Sequence, residues 1–119
     1  MITGSSAIRA TEPLSYIEFM NLVIRCTIAI TDSGGLQEET TYLGIPCATL
    51  RENTERPITV SEGTNTVVGR EPKRIQDAAR RVLQGSVERR RPALWDGKAG
   101  ERIADALVGG YGRSRARPT

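Results

Sequence analysis

Residues 31–50 read TDSGGLQEETTYLGIPCATL. The run Thr27-Ile28-Ala29-Ile30 ahead of them is short, apolar and β-branched, without polar alternation, and predicts a buried strand over 27–31. Beyond Thr31-Asp32-Ser33-Gly34-Gly35, residues 35–43 have helical spacing and meet Gly44, a residue suited to a helix C-cap. Pro46-Cys47-Ala48-Thr49-Leu50 reads as a second buried strand. Strand, glycine turn, helix and strand in so short a span is the signature of parallel pairing.

The flanking segments extend the pattern. Residues 15–25 repeat apolar side chains at helical intervals, with Ser15 as N-cap and Glu18 three places on, a capping box. Upstream, Ala7-Ile8-Arg9-Ala10 reads as a short strand stopped by Pro13. Residues 51–63 read as loop with a short helix after Pro57, and Asn65 to Gly69 as a third strand. Pro72 opens an amphipathic helix through Ile75, Ala78, Ala79, Val82 and Leu83 that ends at Gly85. After an arginine cluster and a Trp95-Asp96-Gly97 turn, residues 100–108 read as a last helix with Ile103, Ala104 and Leu107 on one face. The expected fold is α/β: a Rossmann-like parallel sheet flanked by helices over residues 1–108, with 109–119 a basic, disordered tail.

Composition narrows the chemistry. A chain of 119 residues is one domain or part of one. No run reaches the roughly 18 apolar residues needed to span a bilayer, and no basic-then-apolar leader opens the chain, so a cytoplasmic location without membrane association is expected. Cys26 and Cys47 lack close partners and lie in apolar surroundings, which fits buried reduced thiols better than a disulfide or a metal knuckle. Histidine is absent, removing the commonest general base and metal ligand together. Neither metal nor cofactor is expected. The net charge of +3 is concentrated late, in Arg89-Arg90-Arg91 and in Arg113, Arg115 and Arg117, while residues 1–79 are close to neutral. No aromatic residues interleave with that cluster to stack bases, so a solvated end is the preferred reading over a nucleic-acid surface.

Ser33-Gly34-Gly35 falls where a strand hands over to a helix at the carboxyl end of the sheet, the place where open α/β sheets bind ligands. The first helical amides lack internal partners, the helix dipole favours an anion there, and glycine lets it approach the backbone. Ser33 adds a hydroxyl. The residues therefore suit a diphosphate, although the same residues also serve as an ordinary N-cap and tight turn. Glu38 and Glu39 follow one turn on, about 100° apart, so at most one should share that cleft. A carboxylate suits the paired hydroxyls of a ribose. Arg56, before Pro57 on the same rim, offers a bidentate clamp, or pairs with Glu55 or Glu52 as an ordinary surface arginine.

Taken together, TDSGGLQEE at 31–39, LGIPCATLRENTERP at 43–57, EGTNTVVG at 62–69 and WDGKAGERIADAL at 95–107 resemble the non-hydrolysing UDP-N-acetylglucosamine 2-epimerases, as does EPLSYIEFMNLV at 12–23. The resemblance covers about residues 11–108 and implies the C-terminal half of a two-domain, GT-B-like architecture. It implies interconversion of UDP-GlcNAc and UDP-ManNAc by elimination and re-addition of UDP, in the supply of cell-surface polysaccharide precursors. It also implies that Ser33, Gly34 and Gly35 bind the diphosphate, Glu39 the ribose, that Arg56 contacts the nucleotide sugar and that Phe19 lies by the nucleotide. The family's catalytic acids and histidine lie in segments with no counterpart here, so no catalytic residue is assigned and this chain alone is expected to be inactive. Its expected partners are UDP or a UDP-sugar, and a missing N-terminal domain or a second copy against the exposed cleft face. The alternatives are the nucleotide-binding half of a GT-B glycosyltransferase and, more remotely, a basic nucleic-acid or anion binder.

Overall fold

The computed structural model describes residues 6–116, with side chains for 6–110. Its elements are α1 (Tyr16–Arg25), β1 (Ala29–Thr31), α2 (Gly34–Leu43), β2 (Cys47–Thr49), α3 (Pro57–Ser61), β3 (Asn65–Val67), α4 (Pro72–Leu83) and α5 (Ala99–Ala116). The strands form a parallel sheet in the order β1-β2-β3, with Ala29 opposite Cys47 and Cys47 opposite Asn65.

Local chemistry sets the element ends. Ser15 caps α1 through a reciprocal box: the Glu18 amide donates to Ser15 Oγ at 3.3 Å, and the Ser15 amide donates to Glu18 Oε2 at 3.1 Å. Gly44 ends α2 at φ 74°, a left-handed conformation open to glycine at little cost, and its amide returns to the Thr40 and Thr41 carbonyls. Proline at the first position opens α3 and α4.

Alternation along β2 divides the interior. Cys47 packs with Val23, Ala29 and Leu36 beneath α1 and α2, whereas Ala48 packs with Val68 and Ala78 beneath α4. The sheet is thus covered on both faces, and its carboxyl edge carries the loops after β1, β2 and β3.

Several expectations are corrected. Residues 7–10 form no strand; they are exposed and sit on no strand of the described sheet, so their backbone has no ladder to join. The last helix does not stop at Val108 but continues to Ala116, so 109–116 are helical rather than a disordered tail, and 117–119 lie outside the described residues. Gly109 and Gly110 weaken a helix but end one only by turning left-handed, which neither does. Cys47 is buried, but Cys26 is only half-buried; burial pushes both thiols up, and both are free. Arg90 and Arg91 are not idle solvated charges. Arg90 donates to the Gly63 and Val60 carbonyls, each at 3.1 Å, and the Arg91 guanidinium lies 4.3 Å from the centre of the Tyr42 ring. Segment 86–98 is tied back to the domain by these contacts.

Candidate functional site

Helix α2 starts immediately behind the carboxyl end of β1. Ser33, extended at φ −78° and ψ 130°, is its N-cap, and its hydroxyl makes no cap hydrogen bond. The Ser33 amide donates to Thr31 Oγ1 at 3.0 Å, which fixes how the chain enters the helix. Ahead of Gly35 lies open space: a Cβ built there would meet nothing within 4 Å. At Gly34 it would meet the Glu55 carboxylate at 3.6 Å. Arg51 holds Glu55 at 2.8 Å and keeps its carboxyl below the usual carboxylate range. The first-turn amides therefore face an accessible rim, the geometry an anion requires.

Arg56 sits on that rim as N-cap of α3, with φ −123° and ψ 61°, outside the helical region as its place before Pro57 dictates. Its guanidinium does not choose Glu55 or Glu52. It pairs with Glu38 of α2, both side chains being almost half exposed. Glu52 instead lies 3.9 Å from Arg74.

Glu39 turns the other way, toward α1, and accepts from the Tyr16 hydroxyl at 3.2 Å. That carboxylate raises the Tyr16 pKa. The sequence predicts that at most one of the two glutamates shares the cleft of the Ser33–Gly35 turn. Both line a separate cavity of about 420 Å³ between α1 and α2, with Tyr16, Met20, Tyr42 and Trp95, and of the two only Glu38 also meets Arg56 on the rim. Phe19 is 40% exposed rather than core, and lines a smaller cavity of about 220 Å³ with Leu22, Ile30 and Leu36. The six candidates thus gather around the N-terminal half of α2, with Arg56 against Glu38 and with Phe19 and Glu39 on the α1 side. Among the described residues, no cluster of three or more Cys, Asp or Glu could hold a metal ion.

The sequence reading misses Gln37. It is fully buried, yet hydrogen-bonded at both ends: Nε2 donates to the Ser33 carbonyl at 3.1 Å, and Oε1 accepts from Thr54 Oγ1 and from Asn65 Nδ2. The one available signal is a glutamine four residues past Ser33, followed by Thr40 and Thr41 on a face that should have been apolar.

Comparison with known proteins identifies the family. The profile of the family described as UDP-N-acetylglucosamine 2-epimerase matches residues 1–108. The chain belongs to this family. It is 40% identical over 108 residues to the UDP-N-acetylglucosamine 2-epimerase of Methanococcus maripaludis, covering 91% of this chain and 29% of that protein. Against the Escherichia coli enzyme it is 38% identical over 101 residues, covering 81% of this chain and 27% of the relative. The structure superimposes with a TM-score of 0.75 on the Methanocaldococcus jannaschii epimerase in complex with UDP-GlcNAc and UDP, at 39% identity, covering 92% of this chain and 30% of that one. It superimposes on S. aureus MnaA with UDP at TM-score 0.76 and 29% identity, covering 98% and 32%. The chain therefore spans about 30% of the length of these epimerases. The Rossmann-like unit, one half of a two-domain enzyme, is the fold it shares with them.

Proposed function

We propose that this chain is the UDP-holding part of a UDP-GlcNAc 2-epimerase, acting on UDP-GlcNAc and UDP-ManNAc in the cytoplasm. The observation that carries this reading is the open N-terminus of α2, where Gly35 leaves free space and the Ser33 hydroxyl makes no cap bond. In this reading the diphosphate lies across residues 33–35, the Arg56 guanidinium leaves Glu38 or shares it to reach the phosphates, and Glu39 takes the ribose hydroxyls. Phe19 offers an exposed ring beside the nucleoside.

The chemistry follows from that placement. Breaking the C1–O bond of the sugar releases UDP as an anion. Helical amides and a guanidinium already aimed at its phosphates stabilise the charge as it develops. Holding the released UDP in place makes its return to the sugar effectively intramolecular. The groups that move protons at the sugar lie outside this chain's motifs, and the chain alone turns over no UDP-GlcNAc.

Calorimetric titration with UDP tests the site. Wild type is expected to bind, with Ser33→Ala and Glu39→Ala each weakening affinity by about tenfold, the usual loss for a charge-assisted hydrogen bond. Equal affinity in all three proteins would remove the assignment.

A further inference from the structure

Behind the rim, four buried or half-buried polar side chains form a closed circuit through Arg56. The Arg56 amide donates to Thr54 Oγ1 at 2.9 Å. Thr54 Oγ1 donates to Gln37 Oε1 at 2.5 Å, and Asn65 Nδ2 donates to the same oxygen at 2.9 Å. Asn65 Nδ2 also donates to Thr59 Oγ1 at 3.1 Å, and Thr59 Oγ1 donates to the Arg56 carbonyl at 2.6 Å. Thr49 Oγ1 pins the other end of Asn65 by donating to Oδ1 at 2.5 Å. One spur leaves the circuit: Gln37 Nε2 donates to the Ser33 carbonyl at 3.1 Å.

The donor assignments close in a single way. The Ser33 carbonyl only accepts, so it fixes the Gln37 amide with nitrogen toward the turn and oxygen toward Thr54 and Asn65. That oxygen accepts twice, so Asn65 must present its nitrogen, which in turn leaves its oxygen for Thr49. Gln37, Thr49 and Thr59 are fully buried and Asn65 is 4% exposed, so a broken link cannot be repaired by water at low cost. No buried side-chain nitrogen or oxygen among the described residues is left without a partner.

The circuit does two things that a packing contact does not. It holds both the amide and the carbonyl of Arg56, which fixes where its side chain starts. It also reaches the Ser33 carbonyl, the residue that opens the anion-facing turn. We propose that Gln37, Thr54, Thr59 and Asn65 are positioning residues that set Arg56 relative to the Ser33–Gly35 turn, so that guanidinium and helical amides converge on one diphosphate. The ligand part of this inference rests on the nucleotide-site reading; the mechanical part does not.

Thr54 is the link to cut, because it is half-buried, lies in a loop, and valine matches its shape. In the ligand-free protein, Thr54→Val is expected to raise hydrogen exchange at the Arg56 amide by about tenfold, the effect of losing one hydrogen bond. The Leu50 and Val68 amides, bonded to strand carbonyls at 2.8 and 2.9 Å, are expected to stay protected. UDP affinity is expected to fall by about five- to twentyfold in Thr54→Val and to recover within about twofold in Thr54→Ser. In an Arg56→Ala background, Thr54→Val should change UDP affinity by less than about twofold, since its effect runs through Arg56. Unchanged exchange at the Arg56 amide would overturn the proposal, as would an undiminished affinity loss without Arg56. If wild type binds no UDP at all, the exchange measurement still decides the positioning role, and only the nucleotide reading fails.

Discussion

The two faces of the sheet solve the same problem with different chemistry. Under α4, Ala48, Val68 and Ala78 close the interior with small apolar side chains, against which Ile28, Leu50 and Ile75 pack. Between α2, α3 and β3, buried Gln37, Thr41, Thr49, Thr59, Thr64 and Asn65 fill an equally closed space with hydrogen bonds. Apolar packing is non-directional and tolerates small shifts, whereas a hydrogen-bond network fixes angles and rotamers. The directional side is the one beneath Ser33 and Arg56, on the two loops that carry the proposed diphosphate site.

The largest expected effect breaks the directional side at its hub. Asn65→Leu takes one hydrogen-bond partner from each of the buried Gln37, Thr49 and Thr59 side chains and is expected to cost about 3 kcal/mol in denaturant unfolding. Val68→Ala, on the apolar face, is expected to cost about 2 kcal/mol through the cavity it leaves. At denaturant-free conditions where both remain folded, only Asn65→Leu should weaken UDP binding. Equal weakening by both would show that the two faces do not differ in what they hold.

A smaller effect is readable at Tyr16, where the neighbouring Glu39 carboxylate opposes loss of the phenolic proton. Ultraviolet titration is expected to show Tyr16 ionising above the ordinary tyrosine value of about 10, and Glu39→Gln is expected to bring it back. The sign follows from linkage. A group whose folded pKa is raised contributes stability below its unfolded value and loses it as pH climbs through the folded value. The α1–α2 contact should therefore loosen as pH climbs into strong alkali. An unshifted titration in wild type would mean that the two side chains are apart in solution.

The contrast between the two faces also explains what could be read in advance. The capping box at Ser15 and Glu18, the stop at Gly44, the prolines opening α3 and α4 and the short β-branched strands all act between residues a few positions apart, so sequence spacing exposes them. The α/β fold and the exposed turn at Ser33–Gly35 were legible for that reason. The circuit behind Arg56 was not, because Gln37 meets Thr54 and Asn65 across 17 and 28 residues, and only the finished fold brings them together. Arg56 choosing Glu38 over nearer Glu55 is the same lesson, since α2 carries Glu38 to the rim while Arg51 occupies Glu55. Residues 8–10 have strand-like composition but join no strand of the sheet among the described residues, and strand propensity alone does not build a ladder.

The most direct measurement follows from Gly35, where added bulk costs the fold nothing and the ligand space everything. Gly35→Ala meets no atom within 4 Å and replaces a poor helix former with a good one, so its thermal midpoint should equal or exceed that of wild type. UDP titrated into wild type should shift the amide resonances of residues 33–35 in nitrogen-edited NMR spectra, and the same titration of Gly35→Ala should bind at least about tenfold more weakly, the scale of one lost anion contact. Unaltered UDP affinity in Gly35→Ala, or wild-type shifts confined to residues far from this turn, would contradict a diphosphate site at the start of α2.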